Sequence, residues 1–530
     1  MYLSQLRHTI VFTIAFTLVS LATVSGGEPK SHKLAEQSSP QHTAEEELAN
    51  ASRYLTVWLE EMSEPVRRTD IKIETSASCA ATACHGGPRP SIASHDAIRG
   101  AEYPLWLEND PHAQSWRSLC SEESLTMLER LNIIRDGSVV NLQAFNNCLA
   151  CHTTARGSAA ASELNHSGVN SEGVGCASCH GPSQNWRGDH YRLQRDDASS
   201  AAKGLAPTKD LFVRARVCAS CHVGDSDRDM NHDIIAAGHP ALHYEFATFH
   251  NMLPKHWREP EKTRSSDFEA KLWLAGQVAA LDASLALLDS RANRHLSVST
   301  WPEFATTDCS SCHQNLRLGA GDYARGNRPS ANTYSSWNRF GVEQLLSQPG
   351  IEVGQSIASQ RLVESLNHLS DLMSTRAIPD AGTIQVAARN ARLDLDAWQG
   401  QSAQAVMLQF SVGNLQRVAT TALADTDRLK GWEFTAQSYL AVIAARNSWM
   451  SDTSASATAD ASQLRNAILF KPGASSLALL DEPDRDIQTT VARLLQSLEQ
   501  GSRIPATQSK SESPPKGKTP ARAGSKPRMF

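Results

Sequence analysis

One five-residue pattern, C-x-x-C-H, occurs four times in the 530 residues and constrains the chain more than any other feature. The copies are CLACH at 148–152, CASCH at 176–180, CASCH at 218–222 and CSSCH at 309–313. A fifth stretch, CAATACH at 79–85, has four residues between its cysteines. Ten of the 11 cysteines belong to these motifs, and Cys120 is left over. The fold must therefore accommodate five groups of two thiols and one imidazole.

This pattern is typical of covalent haem attachment. Two thiols spaced by two residues reach one edge of a haem and form thioethers, and the next histidine binds the iron. We predict five haems c, or four if the longer spacing at 79–84 holds none; a single thioether from Cys84 is a further alternative there. The predicted attachment residues are Cys79, Cys84, Cys148, Cys151, Cys176, Cys179, Cys218, Cys221, Cys309 and Cys312. The predicted proximal iron ligands are His85, His152, His180, His222 and His313.

Other uses of paired cysteines fit the pattern less well. Disulfides are permitted in exported proteins, but they do not require a histidine after every second cysteine. Zinc sites built on C-x-x-C need a second pair for each metal ion. Thioredoxin-like redox motifs do not occur in series. The leftover Cys120 has no histidine after it and is expected to be an ordinary buried thiol.

The second axial position decides what each iron can do, because a second protein ligand makes a low-spin electron carrier and an open position binds small molecules. Ten further histidines lie between residues 86 and 300. The candidate distal ligands among them are His95, His112, His190, His232 and His239. The reserves are His166, His243, His250, His256 and His295. His190 is expected to serve either the iron of motif 176–180 or a neighbouring iron.

The chain is long enough for two or more domains. Residues 1–26 read as a secretory signal peptide, with an uncleaved anchor as the alternative. Residues 27–74 form a polar lead with one helix at 45–62. Residues 75–325 form a loop-rich multihaem domain, which has few aliphatic runs and is expected to fold around its cofactors. An all-helical domain covers 340–500, and 505–530 is a disordered basic tail. The fold class is therefore mainly α.

Helical periodicity locates several of these helices. The stretch 267–295 carries one apolar series, namely Leu272, Leu274, Val278, Leu281, Leu285 and Leu288. A second series consists of Ile357, Leu362, Leu366, Leu369 and Met373. A third consists of Leu429, Trp432, Tyr439, Val442 and Ile443, and a further helix is expected at 486–500. His368 lies within a predicted helix as a surface or packing residue.

Charge and targeting limit the partners. The net charge of −5 is small for this length and does not favour nucleic-acid binding. We expect a periplasmic or otherwise exported protein with no membrane span in the mature chain and with redox proteins as partners. The sequence leaves the oligomeric state open.

The five motifs, together with DPHAQSW, GVGCASCHGP and NHDIIAAGHP, resemble the cytochrome c554 family over roughly 75–320. That family is similar in haem packing to octahaem hydroxylamine oxidoreductases and pentahaem nitrite reductases. The resemblance implies closely stacked haems, helical connections and periplasmic electron transfer. It implies proximal roles for the five motif histidines and distal roles for His112, His190, His232 and His239. Two departures are the fifth motif and the added helical domain, and the C-x-x-C-K site typical of the nitrite reductases is absent from the sequence.

Three functions are compatible with these residues. The first is an electron-transfer protein whose mostly bis-histidine haems form a wire. The second is a haem enzyme with one open iron acting on a small nitrogen or sulfur compound, with Tyr244, His243 and Arg258 available as polar groups. The third is a haem-based sensor or assembly module whose helical domain is the working part. The first is favoured, and no catalytic residue is assigned.

Overall fold

The computed structural model describes residues 74–88, 100–154, 172–192, 197–259, 265–295, 301–313, 334–348, 356–374 and 378–449. The predicted signal peptide, the helices at 45–62 and 486–500, and the basic tail lie outside the described residues. We call residues 74–259 the motif region, and residues 265–295 and 334–449 the helical region. The fifth motif, at 309–313, lies between the two parts of the helical region.

The motif region consists of short helices. They are α1 (Glu102–Asn109), α2 (Ser115–Leu119), α3 (Glu122–Arg130), α4 (Leu142–His152), α5 (Cys176–His180), α6 (Asp197–Ala202), α7 (Leu211–His222), α8 (His232–Ala237) and α9 (Phe246–Met252). Short 3-10 turns at Ser76–Cys79, Pro111–Gln114 and Ser183–Asn185 join them. The abundance of helices confirms the predicted mainly α fold class.

One small hairpin interrupts the helices. Strand β1 (Ile134–Arg135) pairs antiparallel with β2 (Ser138–Val139). The connecting Asp136 and Gly137 both have positive φ, at 51° and 74°. An Asp-Gly pair with this backbone is the favoured two-residue turn of a tight hairpin.

The helical region has longer helices. They are α10 (Phe268–His295), α12 (Ser336–Leu346), α13 (Ile357–Ser374), α14 (Ala381–Gln409), α15 (Val412–Ala424) and α16 (Trp432–Trp449). Helix α11 (Cys309–Cys312) and the 3-10 turns Phe304–Thr306 and Arg428–Lys430 complete the described elements. Helix α10 is central, since it packs against α7, α9, α12, α14 and α16. Ser411 begins α15 with a capping box to Asn414, which satisfies two backbone donors.

The periodic residues of the helical region occupy its core. All six predicted apolar residues of α10 are buried, from Leu272 to Leu288. In α13, Leu362, Leu366, Leu369 and Met373 are buried as predicted, but the prediction for Ile357 was wrong, because this residue is 72% exposed. Ile357 is the first residue of α13 and lies five positions before Leu362, so its side chain is off the buried face, which begins instead at Ala358, four positions before Leu362. His368 is exposed on this helix.

Helix α10 also passes a length and composition test for a membrane span over Phe268–Arg294. However, 83% of the apolar window is buried inside the protein, as in the core helix of a soluble protein. The large hydrophobic core extends from Ala215 and Ala219 of α7 through α10 to Ala445 of α16. The predicted boundary between a 75–325 domain and a 340–500 domain stays a prediction, and the two parts share this core.

Candidate haem-binding site

All four regular motifs are helical. Helices α4 and α7 end with their motifs, and α5 and α11 lie within theirs. Asn141 caps the start of α4, and Asp210 caps the start of α7. Residues three apart share a helix face, so the two cysteines of each motif lie side by side with the histidine at the helix end. This is the arrangement that attachment to one haem edge requires.

The first motif reaches a related arrangement through a bulge. Its 3-10 turn ends at Cys79, and a separate turn leads to Cys84 and His85. The chain then approaches itself so closely that a side chain at Gly86 would lie 1.9 Å from the Ala80 carbonyl oxygen. Only glycine fits there. The four-residue spacing is thus a compact loop that keeps both cysteines near one histidine.

Four motif histidines each face a distant histidine at nearly the same separation. The ring centroids are 6.0 Å apart for His85 and His190, and 6.0 Å for His222 and His112. They are 6.2 Å apart for His152 and His239, and 6.3 Å for His180 and His256. The ring planes are inclined by 16° in the His85–His190 pair and by 81°, 89° and 70° in the other three.

This separation fits two imidazoles that bind one metal ion from opposite sides. A metal–imidazole bond is about 2 Å long, and with the ring centre about 1 Å further away the two centres lie about 6 Å apart. Within the described residues no group of three or more His, Cys, Asp or Glu side chains could hold a metal ion. Two imidazoles with adjacent thiols are the donor set of a haem c, whose porphyrin provides the other four iron ligands.

Hydrogen bonds at Nδ1 orient five of these eight rings. Each hydrogen bond at Nδ1 leaves Nε2 of the same ring directed away from the hydrogen-bond acceptor. Metal-binding histidines are generally oriented in this way. His152 Nδ1 lies 3.0 Å from the Ser115 carbonyl oxygen, and His190 Nδ1 lies 2.7 Å from that of Arg187. His239 Nδ1 lies 2.8 Å from the Pro240 carbonyl oxygen.

Carboxylates replace carbonyls at the remaining two. His85 Nδ1 lies 3.0 Å from Glu102 Oε2, and His112 Nδ1 lies 2.8 Å from Asp110 Oδ1. The hydrogen bond to Glu102 raises the pKa of His85. At His112, burial by itself would lower the pKa. The hydrogen bond and the negative charge of Asp110 outweigh burial, so the pKa of His112 is raised. At His152, in contrast, burial lowers the pKa.

The motifs meet in two pairs. The thiols of Cys79 and Cys176 are hydrogen-bonded, which lowers the pKa of Cys79 to about 6. Cys151 and Cys221 are hydrogen-bonded as well, and this contact raises the pKa of Cys151. The first motif therefore adjoins the third, and the second adjoins the fourth.

Arg228 holds the second pair together. It is 5% exposed, and its Nε donates to the Ala150 carbonyl oxygen at 2.8 Å while Nη1 faces the Ser220 carbonyl oxygen at 3.4 Å. Ala150 lies between the two cysteines of the second motif, and Ser220 lies between those of the fourth. Asp225 neutralises the guanidinium in an ion pair. Arg228 thus fixes the spacing of two attachment motifs, which sequence reasoning had not identified.

The fifth motif contacts the helical region. Glu433 at the start of α16 accepts hydrogen bonds from the backbone and hydroxyl of Ser310. Asp308 accepts one from the Ser336 backbone N–H at 2.6 Å. Burial, and then the charge of Glu433, raise the pKa of Asp308 to about 7. Here the helical region completes the surroundings of an attachment motif.

The other histidines have varied surroundings. The His232 ring packs 5.9 Å from Phe304, in the turn that leads to the fifth motif, and its backbone N–H donates to Glu303. The His243 ring packs edge-on against Trp337 and Trp432, at 4.9 and 4.6 Å, and these two rings stack on each other. His250 Nε2 lies 2.8 Å from Glu259 Oε1 in an ion-pair network.

The sequence-based ligand set agrees with these pairs for three candidate histidines and differs from them at His256. His112, His190 and His239 each face a motif histidine, and His190 faces His85 instead of the nearby His180. His256 was only a reserve, although it faces His180; the signal for it is no more than a polar segment, LPKHWREP. His95 and His166 lie outside the described residues, as does the side chain of His295.

The cysteine outside the motifs differs from the sequence-based expectation. The prediction of a buried Cys120 was wrong, because this thiol is exposed. It follows the last residue of α2, where its backbone N–H closes the helix and its side chain faces outward. Disulfide bonds join none of the 11 cysteines, all of which lie among the described residues. Tyr244 stacks on the His222 ring at 4.9 Å.

Part of the chain is similar to known proteins. The family of cytochrome c554 and c-prime matches residues 80–181. Cytochrome c-554 of Nitrosomonas europaea is 27% identical over 122 residues, which cover 21% of this chain and 52% of that protein. The chain thus spans about half the length of the curated relative it matches. No solved structure matches the chain.

The repeated motifs, the imidazole pairs and the family match together define a c-type cytochrome with covalently bound haem. Residues 80–181 match the cytochrome c554 family, which confirms the family resemblance over that part of the 75–320 range. The similarity to hydroxylamine oxidoreductases and nitrite reductases stays a prediction.

Proposed function

We propose that the protein is an exported multihaem cytochrome that carries electrons through haems c, most of them held by two histidines. The four histidine pairs at 6.0–6.3 Å are the observation that carries this proposal. Each pair combines a motif histidine with a histidine that lies outside the motifs and far away in the sequence. Folding thus supplies a second axial ligand at sites where the motif alone supplies one.

The motif cysteines and the paired histidines have separate roles in this proposal. The motif cysteines would hold a haem c covalently, and the two imidazoles of each pair would bind its iron, which would leave no iron position for a substrate at those four sites. When bound, haem c supplies a one-electron iron couple. The protein sets ligand identity, spacing and the polarity around each site. Such an arrangement supports transport of electrons better than conversion of a substrate.

For the fifth site we assign His232 as the partner of His313. Its ring packs on Phe304, in the turn that precedes the motif. Asn231 begins α8 by accepting a hydrogen bond from Ile234, which orients the first turn with His232 in it. His243 is the other histidine near this site, but its ring packs against the tryptophan rings of Trp337 and Trp432.

Export and partners complete the proposal. The apolar segment near the N-terminus supports secretion to the periplasm, where haem c attachment takes place in many bacteria. The name of the relative describes a cytochrome, and redox proteins are accordingly the proposed partners. The whole chain, including the helical region that the match does not cover, is proposed to act as one electron carrier.

Thiol counting tests the haem number. Five haems with two thioethers each consume the ten motif thiols and leave Cys120 alone, which is exposed. We expect one maleimide per denatured chain and an intact mass with five haems. Two labels with five haems would indicate a single thioether at the first motif. Three labels and four haems would remove the first motif from the proposal.

Electron paramagnetic resonance of the ferric protein tests the ligation. We expect low-spin signals that account for every haem. Perpendicular imidazole planes leave two iron orbitals nearly equal in energy and give strongly anisotropic signals, whereas parallel planes give a rhombic one. The ring angles therefore predict one rhombic component, from the 16° pair, beside three anisotropic ones. A stoichiometric high-spin signal that shifts with nitrite or hydroxylamine would contradict the carrier and favour the enzyme.

A further inference from the structure

Two of the eight paired histidines differ from the others in the chemistry of their Nδ1 partner. The Nδ1 atoms of His152, His190 and His239 face neutral backbone carbonyl oxygens. Those of His85 and His112 face carboxylates. The difference is a full negative charge at hydrogen-bond distance from the ring.

The two carboxylates are held in place by more than the imidazole. Glu102 Oε2 also accepts the Gly100 backbone N–H at 2.9 Å, and the next residue, Tyr103, donates its N–H to the His85 carbonyl oxygen at 3.0 Å. Asp110 Oδ1 also accepts the backbone N–H of His112 at 2.9 Å, where it caps a 3-10 turn. Each carboxylate is thus fixed relative to one ring by adjacent backbone groups.

These carboxylates lie in different motif pairs. Glu102 acts on the first motif, which adjoins the third through Cys79 and Cys176. Asp110 acts through His112 on the fourth motif, which adjoins the second through Cys151 and Cys221. At the third motif, His256 faces His180, and its Nδ1 is buried without a hydrogen-bond partner among the described residues; Glu102 and Asp110 act on His256 through their charges alone, without a hydrogen bond. In the second, both His152 and His239 face carbonyl oxygens. Each close pair therefore combines a carboxylate-bonded site with one whose described Nδ1 contacts are neutral.

We propose that Glu102 and Asp110 lower the reduction potentials of the first and fourth sites, so that each close pair contains one iron that is harder to reduce than its neighbour. This inference rests on the proposed bis-histidine ligation. A carboxylate partner makes a metal-bound imidazole more basic, and the more basic ligand stabilises ferric over ferrous iron. The third site in one pair and the second in the other then receive the electron first.

Burial ranks the two effects. Asp110 is 5% exposed, whereas the Glu102 side chain is 24% exposed. Water screens the more exposed charge, so the Asp110 effect is the larger one. Asp110 and Glu102 are positioning residues, since they act on the iron through an imidazole.

The test is a mediated reductive titration of the full haem-loaded protein with dithionite, followed by visible absorption and by the loss of each ferric low-spin signal. Asp110→Asn and Glu102→Gln keep the shape of the side chain and remove the charge. We expect the most negative midpoint potentials to shift in the positive direction, more for Asp110→Asn, with haem content unchanged. Glu123→Gln is the matched control, because it removes one charge from a fully exposed position and should shift nothing.

Unchanged midpoints in both variants, with all low-spin signals retained, would overturn the inference and leave the proposed function standing. So would equal shifts in Glu123→Gln, because they would show a general charge effect. If Asp110→Asn loses haem, Glu102→Gln alone decides by the same criterion. Failure of the proposed function is separately visible, because the unmodified protein would then lack the low-spin signals.

Discussion

The motif region and the helical region are stabilised by different means. The helical region has one large core in which α10 is almost completely buried. The motif region between Ala101 and Leu149 has one small cluster of its own, formed by Leu119, Leu128, Ile133, Ile134, Phe145 and Leu149. Polar contacts connect its attachment motifs, such as those of Ser115, Arg228 and Glu172, while its helices α7 and α9 contribute to the large core. A chain can thus combine a region that folds by burial with one organised around a cofactor.

The strongest way to break this comparison is to withhold the cofactor. In a full chain produced without haem attachment, we expect backbone amides of α4 to exchange at nearly the rate of an unfolded chain, because few apolar contacts protect them. Amides of α10 should stay protected. Hydrogen–deuterium exchange with mass spectrometry measures both, with the haem-loaded chain as control. Equal protection in the two helices would show that the motif region does not depend on haem.

Core truncations sharpen the comparison. Leu281 and Leu149 are both 0% exposed, but Leu281 lies in the large core and Leu149 in the small cluster. Leu281→Ala should lower the free energy of unfolding by about 2–5 kcal/mol, because a rigid core leaves a cavity. Leu149→Ala should fall at the lower end of that range. Denaturant unfolding of the haem-loaded variants measures both free energies of unfolding. A larger loss of stability for Leu149→Ala than for Leu281→Ala would contradict the view that the helical region depends more on its apolar core.

Arg228 tests whether buried polar contacts order the motif region. Arg228→Gln leaves the Ala150 carbonyl oxygen and Asp225 without the guanidinium, which should cost about 1–3 kcal/mol. Arg130→Gln is the matched control, because Arg130 donates to the Ala237 carbonyl oxygen from an exposed position. Thermal unfolding compares the two variants. A loss no larger than that of the control would mean that haem attachment alone sets the spacing of the second and fourth motifs.

The smallest expected effect concerns pH where the fifth motif meets the helical region. The pKa of Asp308 is about 7 in the folded chain, mainly through burial, against 3.8 ordinarily. Between these values the folded chain retains a proton that the unfolded chain loses, so this group contributes less stability as pH rises from about 4 to 7. Asp308→Asn should therefore lose less stability than the parent over that window. Denaturant unfolding at pH 5 and pH 7 measures the difference, and parallel losses would contradict the assignment.

Local patterns predicted much of the molecule. The C-x-x-C-H motifs predict the attachment groups, and helical periodicity located α10 and the buried face of α13. It failed at Ile357, because a residue five positions before Leu362 lies off the face that Ala358 and Leu362 bury. It also failed at Cys120, where the end of α2 turns the thiol outward. Signals that act over a few residues were reliable when burial followed from the helix itself.

The pairing of histidines was beyond sequence reasoning. His190 lies ten residues after His180 and faces His85, while His256 crosses to His180. Nothing near either residue in sequence encodes these partners, because they depend on how separate loops return to the motifs.

The sequence by itself determined the covalent chemistry, since two thiols and an imidazole at fixed spacing meet on one helix face without help from distant residues. Only the tertiary structure decided which second imidazole faces each motif, which motifs adjoin, and which rings receive a carboxylate. Attachment is local, because neighbouring residues are held by the backbone. The histidine pairs join residues up to 110 positions apart, as in His112 and His222, and Glu433 contacts Ser310 across 123 positions, so both follow from packing.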